Sequence, residues 1–520
     1  MDVHVSLTGR GDLSARIYRQ LREAVLDGRL RPGERLPPTR ELARRLEVSR
    51  NTVSIAYDRL TAEGFLVGRV GAGTFVCDEP PGRTLPRSAP AGGDVLPRAF
   101  WRFAAPEPRT GTAALPEPEA RTAALREPRT GATALREPET GAAALRDPGT
   151  GAAVPPPYDF RVGVPDPELF PLETWRRLLA RELRAALVRP AGYADPAGHP
   201  GLREAIARYA GVSRSVRAGA ADVLVTAGAQ QALDLVGRVL IEPGDLVAVE
   251  EPGYPPARTL LRSLGARVTG VPVDAEGLVV SALPDAARLV YVTPSHQFPL
   301  GTPMSLNRRA ALLEWAVRRG AVVVEDDYDS EFRFEDRPLE PLQSLDRDGH
   351  VVYVGSFSKT LLPALRLGFL VAPASLLPAL RAARLLTDRH GEPSAQAALA
   401  RFLDEGLMGR HIRRATREYA ARRERIAAAL RRDFAGLLDP VPSAAGLHLC
   451  ARVSSGVRLD PGEVVSRART AGVAVEALAA YCAEPPAQAG LVIGYGAITP
   501  ERIAPGMRRL AEIVRAAARG

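Results

Sequence analysis

Five short runs of apolar residues, each closed by a polar cluster and followed by helical periodicity, constrain this chain more than any other feature. They occupy residues 223–226, 246–250, 289–292, 321–324 and 351–354. Runs this uniformly apolar belong to strands buried on both faces, which implies a mostly parallel sheet with helices packed on either side. In open sheets of this kind ligands bind just beyond the carboxyl ends of the strands. The polar clusters fall there: Ala227-Gly228-Ala229-Gln230, Glu251-Pro252-Gly253-Tyr254, Thr293-Pro294-Ser295-His296-Gln297, Glu325-Asp326-Asp327-Tyr328-Asp329 and Gly355-Ser356-Phe357-Ser358-Lys359.

The last cluster holds the only lysine among 69 basic residues; the rest are arginine. Arginine replaces lysine as a surface cation, but its guanidinium stays protonated and forms no Schiff base. Lys359 is therefore the candidate amine for an aldehyde cofactor, although one surface lysine surviving by chance would give the same count. The neighbouring clusters offer what such a cofactor needs. Asp326 could pair with a protonated pyridine nitrogen, Tyr328 could donate to a phenolic oxygen, and Tyr254 could stack on the ring. Ser356, Ser358, Arg366 and the amides near Ala229 and Gln230 could hold a phosphate at a helix N-terminus. His296 lies in the same set. Each signal has a plainer alternative: glycine turns are common, residues 325–329 could be a solvated acidic turn, and a lone histidine is more often structural.

Residues 1–80 are organised differently. Leu13, Ile17, Leu21 and Val25 share a helical face, and Gly28 and Pro32-Gly33 end that helix. A second helix spans about 39–46, with Thr39 as its N-cap, and a third about 50–63, with Ser49 as its N-cap. Helix, short turn, helix is the helix-turn-helix arrangement, whose second helix enters the major groove. Arg50, Asn51 and Thr52 fall at that helix's first turn, and Arg40 is placed for phosphate. Residues 65–67 and 74–76 flank a glycine-rich tip, 68–73, as a hairpin wing. A small three-helix domain with a solvated arginine face is the alternative.

Between these parts, residues 81–157 carry a ten-residue repeat, marked by Glu107-Pro108, Glu117-Pro118, Glu127-Pro128, Glu137-Pro138 and Asp147-Pro148. One leucine and one proline per copy cannot build a core, so the expectation is a disordered spacer. The formal charge of +9 is spread along the chain: 13 Arg against 11 acids over 1–80, 10 against 8 over 81–157, and 46 against 41 beyond. Bulk charge is thus weak evidence for nucleic acid. No apolar run approaches a membrane span, and the N-terminus has no signal-peptide core. Cys77, Cys450 and Cys482 are widely spaced without metal-ligand pattern, which reads as reduced cytoplasmic thiols and no metal centre.

Leu36-Pro37-Pro38-Thr39-Arg40-Glu41-Leu42-Ala43 and Val48-Ser49-Arg50-Asn51-Thr52-Val53 resemble the GntR-type winged helix-turn-helix. That resemblance implies DNA contacts at Arg40, Ser49, Arg50, Asn51, Thr52 and Gly71. Pro294-Ser295-His296-Gln297, residues 325–332 and Ser356-Phe357-Ser358-Lys359-Thr360 resemble fold-type-I aminotransferases, and the whole chain resembles the MocR regulators that join the two. The implied fold is a mainly α reader with a β wing, then an α/β domain over 158–520 with a smaller C-terminal α/β subdomain. The implied cofactor is pyridoxal 5'-phosphate on Lys359, with Asp326 at the pyridine, Tyr328 at the phenolate and Tyr254 stacked. The implied partners are an operator duplex, an effector (the cofactor itself or a small amino compound) and a second copy of the chain. One departure stands out. Where many aminotransferases carry an arginine for the substrate carboxylate, this chain reads Leu491-Val492-Ile493-Gly494-Tyr495. The expected function is a cofactor-dependent regulator; a working aminotransferase and a DNA-binding protein using the fold only to dimerise are the alternatives.

Overall fold

The computed structural model describes residues 13–26, 30, 33–62, 64–69, 73–77, 88–93, 95–104, 155–183, 192–334, 340–443, 445–483 and 488–518. The N-terminal part folds as α1 (Leu13–Leu26), α2 (Thr39–Arg45), α3 (Arg50–Ala62) and the antiparallel pair β1 (Leu66–Arg69) and β2 (Gly73–Val76). Ile17, Leu21, Val25, Leu42, Val53, Ala56, Leu60 and Val76 close one core. Leu13, expected on that face, is 38% exposed because it sits in the first turn of α1, at the edge of the packing. Ser49 caps α3 as expected, its Oγ accepting from Thr52 N at 3.1 Å. Thr39 does not cap α2; it is the first helical residue, after a Pro38 that has no capping side chain.

Part of the expected spacer is structured. Residues 88–93 and 95–104 lie along the C-terminal domain and end in α4 (Ala99–Ala104). Val95 and Trp101 are buried in that domain's core, Trp101 Nε1 donates to Arg238 O at 2.7 Å, and Ala89 N donates to Asp222 Oδ2 at 2.9 Å. A buried tryptophan supplies the apolar area that the downstream repeats lack. The repeats themselves lie outside the described residues.

In the C-terminal part, α5 (Pro200–Arg214) precedes β3 (Val223–Thr226), α6 (Ala229–Leu240), β4 (Leu246–Glu251), β5 (Arg267–Asp274), β6 (Gly277–Leu278), β7 (Ala287–Val292), β8 (Val322–Asp327), β9 (Val351–Ser356) and β10 (Gly368–Val371). These strands form one eight-stranded sheet in the order β3-β10-β9-β8-β7-β4-β5-β6. The five from β9 to β5 are parallel; four of them are apolar runs, while the fifth run, β3, pairs antiparallel with β10. The sheet is mixed at both ends, because β10 is antiparallel to β9 and β3, and β6 is antiparallel to β5. The smaller subdomain packs α7 (Leu407–Asp433) and α8 (Pro500–Ala517) on an antiparallel sheet. Its strands β11 (Leu438–Pro440), β12 (His448–Val453), β13 (Glu476–Ala477) and β14 (Gly490–Gly494) run in the order β11-β12-β14-β13. Among the described residues no helix is long and apolar enough to cross a membrane.

Candidate functional site: a lysine facing an unpaired buried carboxylate

The five polar clusters converge at the carboxyl edge of the parallel strands, most tightly at β8 and β9. Val354 of β9 stands opposite Asp326 of β8 in register, β9 ends at Ser356, and the turn after it carries Ser358 and Lys359. Lys359 Nζ donates to Gly163 O at 2.5 Å. Gly163 has φ +74, and a Cβ there would come within 2.9 Å of the amine. Only glycine lets that backbone approach.

Residues 325–329 are not a solvated turn. Glu325, Asp326, Asp327 and Asp329 are all at most 5% exposed. The reason is strand periodicity: β8 continues through Asp327, so successive acids point to opposite faces. Glu325 accepts from the amides of Leu342 and Gln343, both at 2.9 Å, and faces the fully buried Arg309. Asp327 pairs with Arg214 at 2.7 Å and accepts from Tyr353 at 2.6 Å. Burial alone would push the Asp327 carboxyl up; Arg214 with its other donors outweighs burial and holds it below the ordinary range.

Asp326 faces the other way. Its Oδ2 accepts from Tyr291 at 2.7 Å, and its Oδ1 is buried without a hydrogen-bond partner. Burial pushes its carboxyl up to about 7, against the pull of the Tyr291 hydrogen bond and of the Lys359 charge. An orphaned buried carboxylate oxygen is costly. A cationic ring nitrogen would satisfy it, and this is the fit expected of the pyridine end of the cofactor.

The phosphate end fits as well. Gly228, at φ +92, precedes α6, whose first-turn amides include Ala229 and Gln230 and lack intrahelical partners. The Arg366 guanidinium donates to Ala227 O and lies against Gly228, where a Cβ would meet it at 3.3 Å. Gly368 packs on Gly228 so closely that its own Cβ would lie 2.8 Å from the Gly228 Cα. Ser356 Oγ accepts from Ser358 N at 3.1 Å, shaping the same turn. The Gln230 side chain turns to Pro256 O at 3.4 Å.

An aromatic wall completes the site. Tyr254 meets Phe298 edge to face at 5.6 Å, and Phe298 meets Tyr328 at 5.6 Å, Tyr481 at 5.1 Å and His448 at 5.4 Å. The Tyr328 hydroxyl lies 2.8 Å from His296 Nδ1. In β14, Leu491 and Ile493 enter the subdomain core while Val492 joins Leu300, Cys450, Leu478 and Tyr481 on the other face. Apolar packing thus occupies the strand where a carboxylate-binding arginine was sought.

Sequence reasoning missed Gly163, Tyr291, Asp329, Ser443 and His448. Tyr291 could have been found as the one hydroxyl in an otherwise apolar run. His448 and Ser443 arrive from the subdomain, and no local pattern marks them. At the reader, Arg40, Ser49, Arg50 and Asn51 are exposed and Thr52 partly so, with Arg50 Nε 3.4 Å from Thr39 Oγ1. Gly71 lies outside the described residues.

The buried acids set a pH dependence. Burial pushes Glu250, Glu325, Asp326 and Glu331 to about 7 each, whereas unfolded carboxyls titrate near 4. A raised folded value favours the native state fully below the unfolded value and loses that advantage as pH rises through the folded one. The contribution of these four carboxyls to the stability of the cofactor-free protein should therefore be lost between about pH 4 and pH 7. Urea midpoints across that range should fall less steeply for Asp326→Asn; identical slopes would contradict the assignment.

Comparison with known proteins agrees with this geometry. Residues 13–76 match the family of bacterial regulatory proteins of the gntR type, and residues 159–475 match aminotransferase class I and II. The chain is 37% identical to the probable rhizopine catabolism regulatory protein MocR of Rhizobium meliloti, over 95% of this chain and 92% of that protein. It is 38% identical to the HTH-type transcriptional regulator TauR of Rhodobacter capsulatus, over 80% of this chain and 79% of that one. Among solved structures, the α-aminoadipate aminotransferase LysN of Thermus thermophilus, complexed with N-(5'-phosphopyridoxyl)-L-leucine, superposes with a TM-score of 0.63 at 32% identity, covering 69% of this chain and 92% of the enzyme. With a reader of one family, an aminotransferase domain covering more than half its length, and a MocR protein matched almost end to end, the chain belongs to the MocR-type regulators of the GntR family.

Proposed function

We propose that this DNA-binding transcriptional regulator holds pyridoxal phosphate on Lys359 and reports the state of that cofactor, or an amine that reacts with it, to its reader. The observation that carries this is the unpartnered, buried Oδ1 of Asp326 beside the strand that delivers the only lysine. When bound, the cofactor supplies an aldehyde carbon and an electron-withdrawing ring. The chain's own groups do the rest. Lys359 anchors, Asp326 balances the ring nitrogen, Tyr328 donates to the phenolic oxygen, and Tyr254 covers a face. Arg366, Ser356, Ser358 and the amides of Ala229 and Gln230 bind the phosphate. Arg40, Ser49, Arg50, Asn51, Thr52 and Gly71 face DNA.

The apolar setting of Val492 favours sensing over turnover of ordinary amino acids, because a buried carboxylate without a cation is strongly disfavoured. A homodimer follows from function: two readers address paired half-sites on a duplex. The cytoplasm, where duplex and cofactor meet, is the compartment.

The test is binding of a labelled duplex from the region flanking the protein's own gene, with and without pyridoxal phosphate. Coupling of the usual size should change the affinity by about fivefold or more. Equal affinity with the cofactor saturating would reduce the aminotransferase fold to a dimerisation platform.

A further inference from the structure

We infer that His296, held as an imidazolium between Asp329 and Ser443, is a positioning residue that keeps the proton of Tyr328 aimed at the cofactor's phenolic oxygen. This role rests on the reading of pyridoxal phosphate at Lys359.

The argument is a count of protons. Ser443 Oγ lies 3.2 Å from Ala445 O and 3.1 Å from His296 Nε2. A carbonyl only accepts, so with the single Ser443 proton on Ala445 O, His296 Nε2 carries a hydrogen and donates to Ser443. The other nitrogen, Nδ1, lies 3.0 Å from Asp329 Oδ1 and 2.8 Å from the Tyr328 hydroxyl. Burial, followed by the nearby carboxylates Asp329, Asp326 and Glu250, pushes the Tyr328 phenol well above its ordinary range, so it keeps its proton. If Nδ1 were bare, its lone pair would face Asp329 Oδ1 at hydrogen-bond distance, which a carboxylate does not tolerate in a buried site. With a hydrogen on Nδ1, the imidazolium donates to Asp329, the charges balance, and Tyr328 is released from donating to His296. Its proton then has one remaining direction, toward the cofactor.

The surroundings are shaped for this ring. Gly446, at φ +86, leaves no space for a side chain: a Cβ would lie 2.0 Å from His296 Cε1 and 2.6 Å from Asp329 Oδ2. Gly301, at φ +84, makes room in the same way for Ser443 and His296 Nε2. His448 stands 4.9 Å away and donates from Nε2 to Pro299 O at 3.0 Å. Burial, and then the charge of His296, holds His448 well below its ordinary value, so it is a neutral neighbour. Among the described residues the other charged or titratable groups around the pair include Asp326, Glu250, Lys359, Tyr495, Arg333 and Arg423, the last donating to Ser443 O. One ligand-type atom from each of His296, Asp329 and His448 falls within 4.8 Å of the others, a spacing that also suits a cation. Both His296 nitrogens are already engaged, so a shared proton accounts for the geometry without one.

The test reads the visible band of the lysine-bound cofactor against pH. A positive charge near the phenolic oxygen, and a donor to it, both favour the deprotonated adduct. Removing the charge should therefore raise the titration midpoint, by about one unit for His296→Gln, a tenfold change in the proton equilibrium. Asp329→Asn, which strips the imidazolium of its partner, should move it the same way. In a Tyr328→Phe background the His296→Gln shift should fall by more than half, because the proton it positions is gone. An unchanged midpoint in His296→Gln, or full additivity with Tyr328→Phe, overturns the role. If neither variant folds, nitrogen shifts of 15N-histidine in the intact wild-type holoprotein decide: both His296 nitrogens protonated supports the role, and a bare Nδ1 or a bare Nε2 overturns it. A wild-type protein without any visible band refutes the cofactor reading itself, a different result from a band whose midpoint does not move.

Discussion

Lys359→Ala protein incubated with pyridoxal phosphate should show no visible band, and borohydride reduction should leave no adduct on the peptide that contains residue 359. The expected loss is complete because the chain has no second lysine to substitute. Lys359→Arg should fail equally, since a guanidinium keeps the charge but not the nucleophile. The fold should survive both changes, because the side chain is only partly buried and its amine donates to a backbone carbonyl, Gly163 O. Near-wild-type thermal unfolding of the cofactor-free variants would confirm that chemistry and not folding was lost. A full-strength band in Lys359→Ala would mean that the cofactor binds elsewhere or not covalently.

Arg50→Ala should abolish operator binding in a gel-shift titration while leaving the cofactor band intact. Arg50 is exposed at the first turn of α3, where a side chain reaches base edges and phosphates. A bidentate base contact contributes about 1–3 kcal/mol. In a dimer the loss occurs at both half-sites, so specific affinity should drop by roughly two orders of magnitude or more. The fold of the reader should hold, because the core of α3 is Val53, Ala56, Tyr57 and Leu60. Loss of the cofactor band in the same variant would show that the two domains had been assigned wrongly.

Local patterns carried most of the architecture. The apolar runs announced five of the eight strands of the large sheet, and all five lie where they were expected. The three others escaped for identifiable reasons. Residues 267–274 are exposed or half-buried except for Val271, and 277–278 form a two-residue edge strand. Residues 368–371 form a four-residue strand that inserts antiparallel between β3 and β9, where Gly368 meets Gly228. The spacer was misjudged at 88–104, since one tryptophan decides whether such a segment docks, and its partner groove lies more than a hundred residues away.

The site divides in the same way. The order of residues was enough to nominate Lys359, Asp326, Tyr328 and Tyr254, because each follows a strand whose pattern is periodic and local. It gave no reason why Asp326 and Asp327, two adjacent acids, have opposite fates. Strand pleat sends Asp327 to Arg214 and Asp326 to the ligand face, and only the fold reveals which side Arg214 occupies. Nor could it tie His296 to Asp329, Ser443 and Tyr328, since hydrogen bonds form in space between segments up to 147 residues apart. Amino-acid order alone determined which chemistry was available: one amine, a set of acids and a reader helix. The tertiary structure decided which of those groups are desolvated and what each one faces, and those two quantities set the state of every proton in the site.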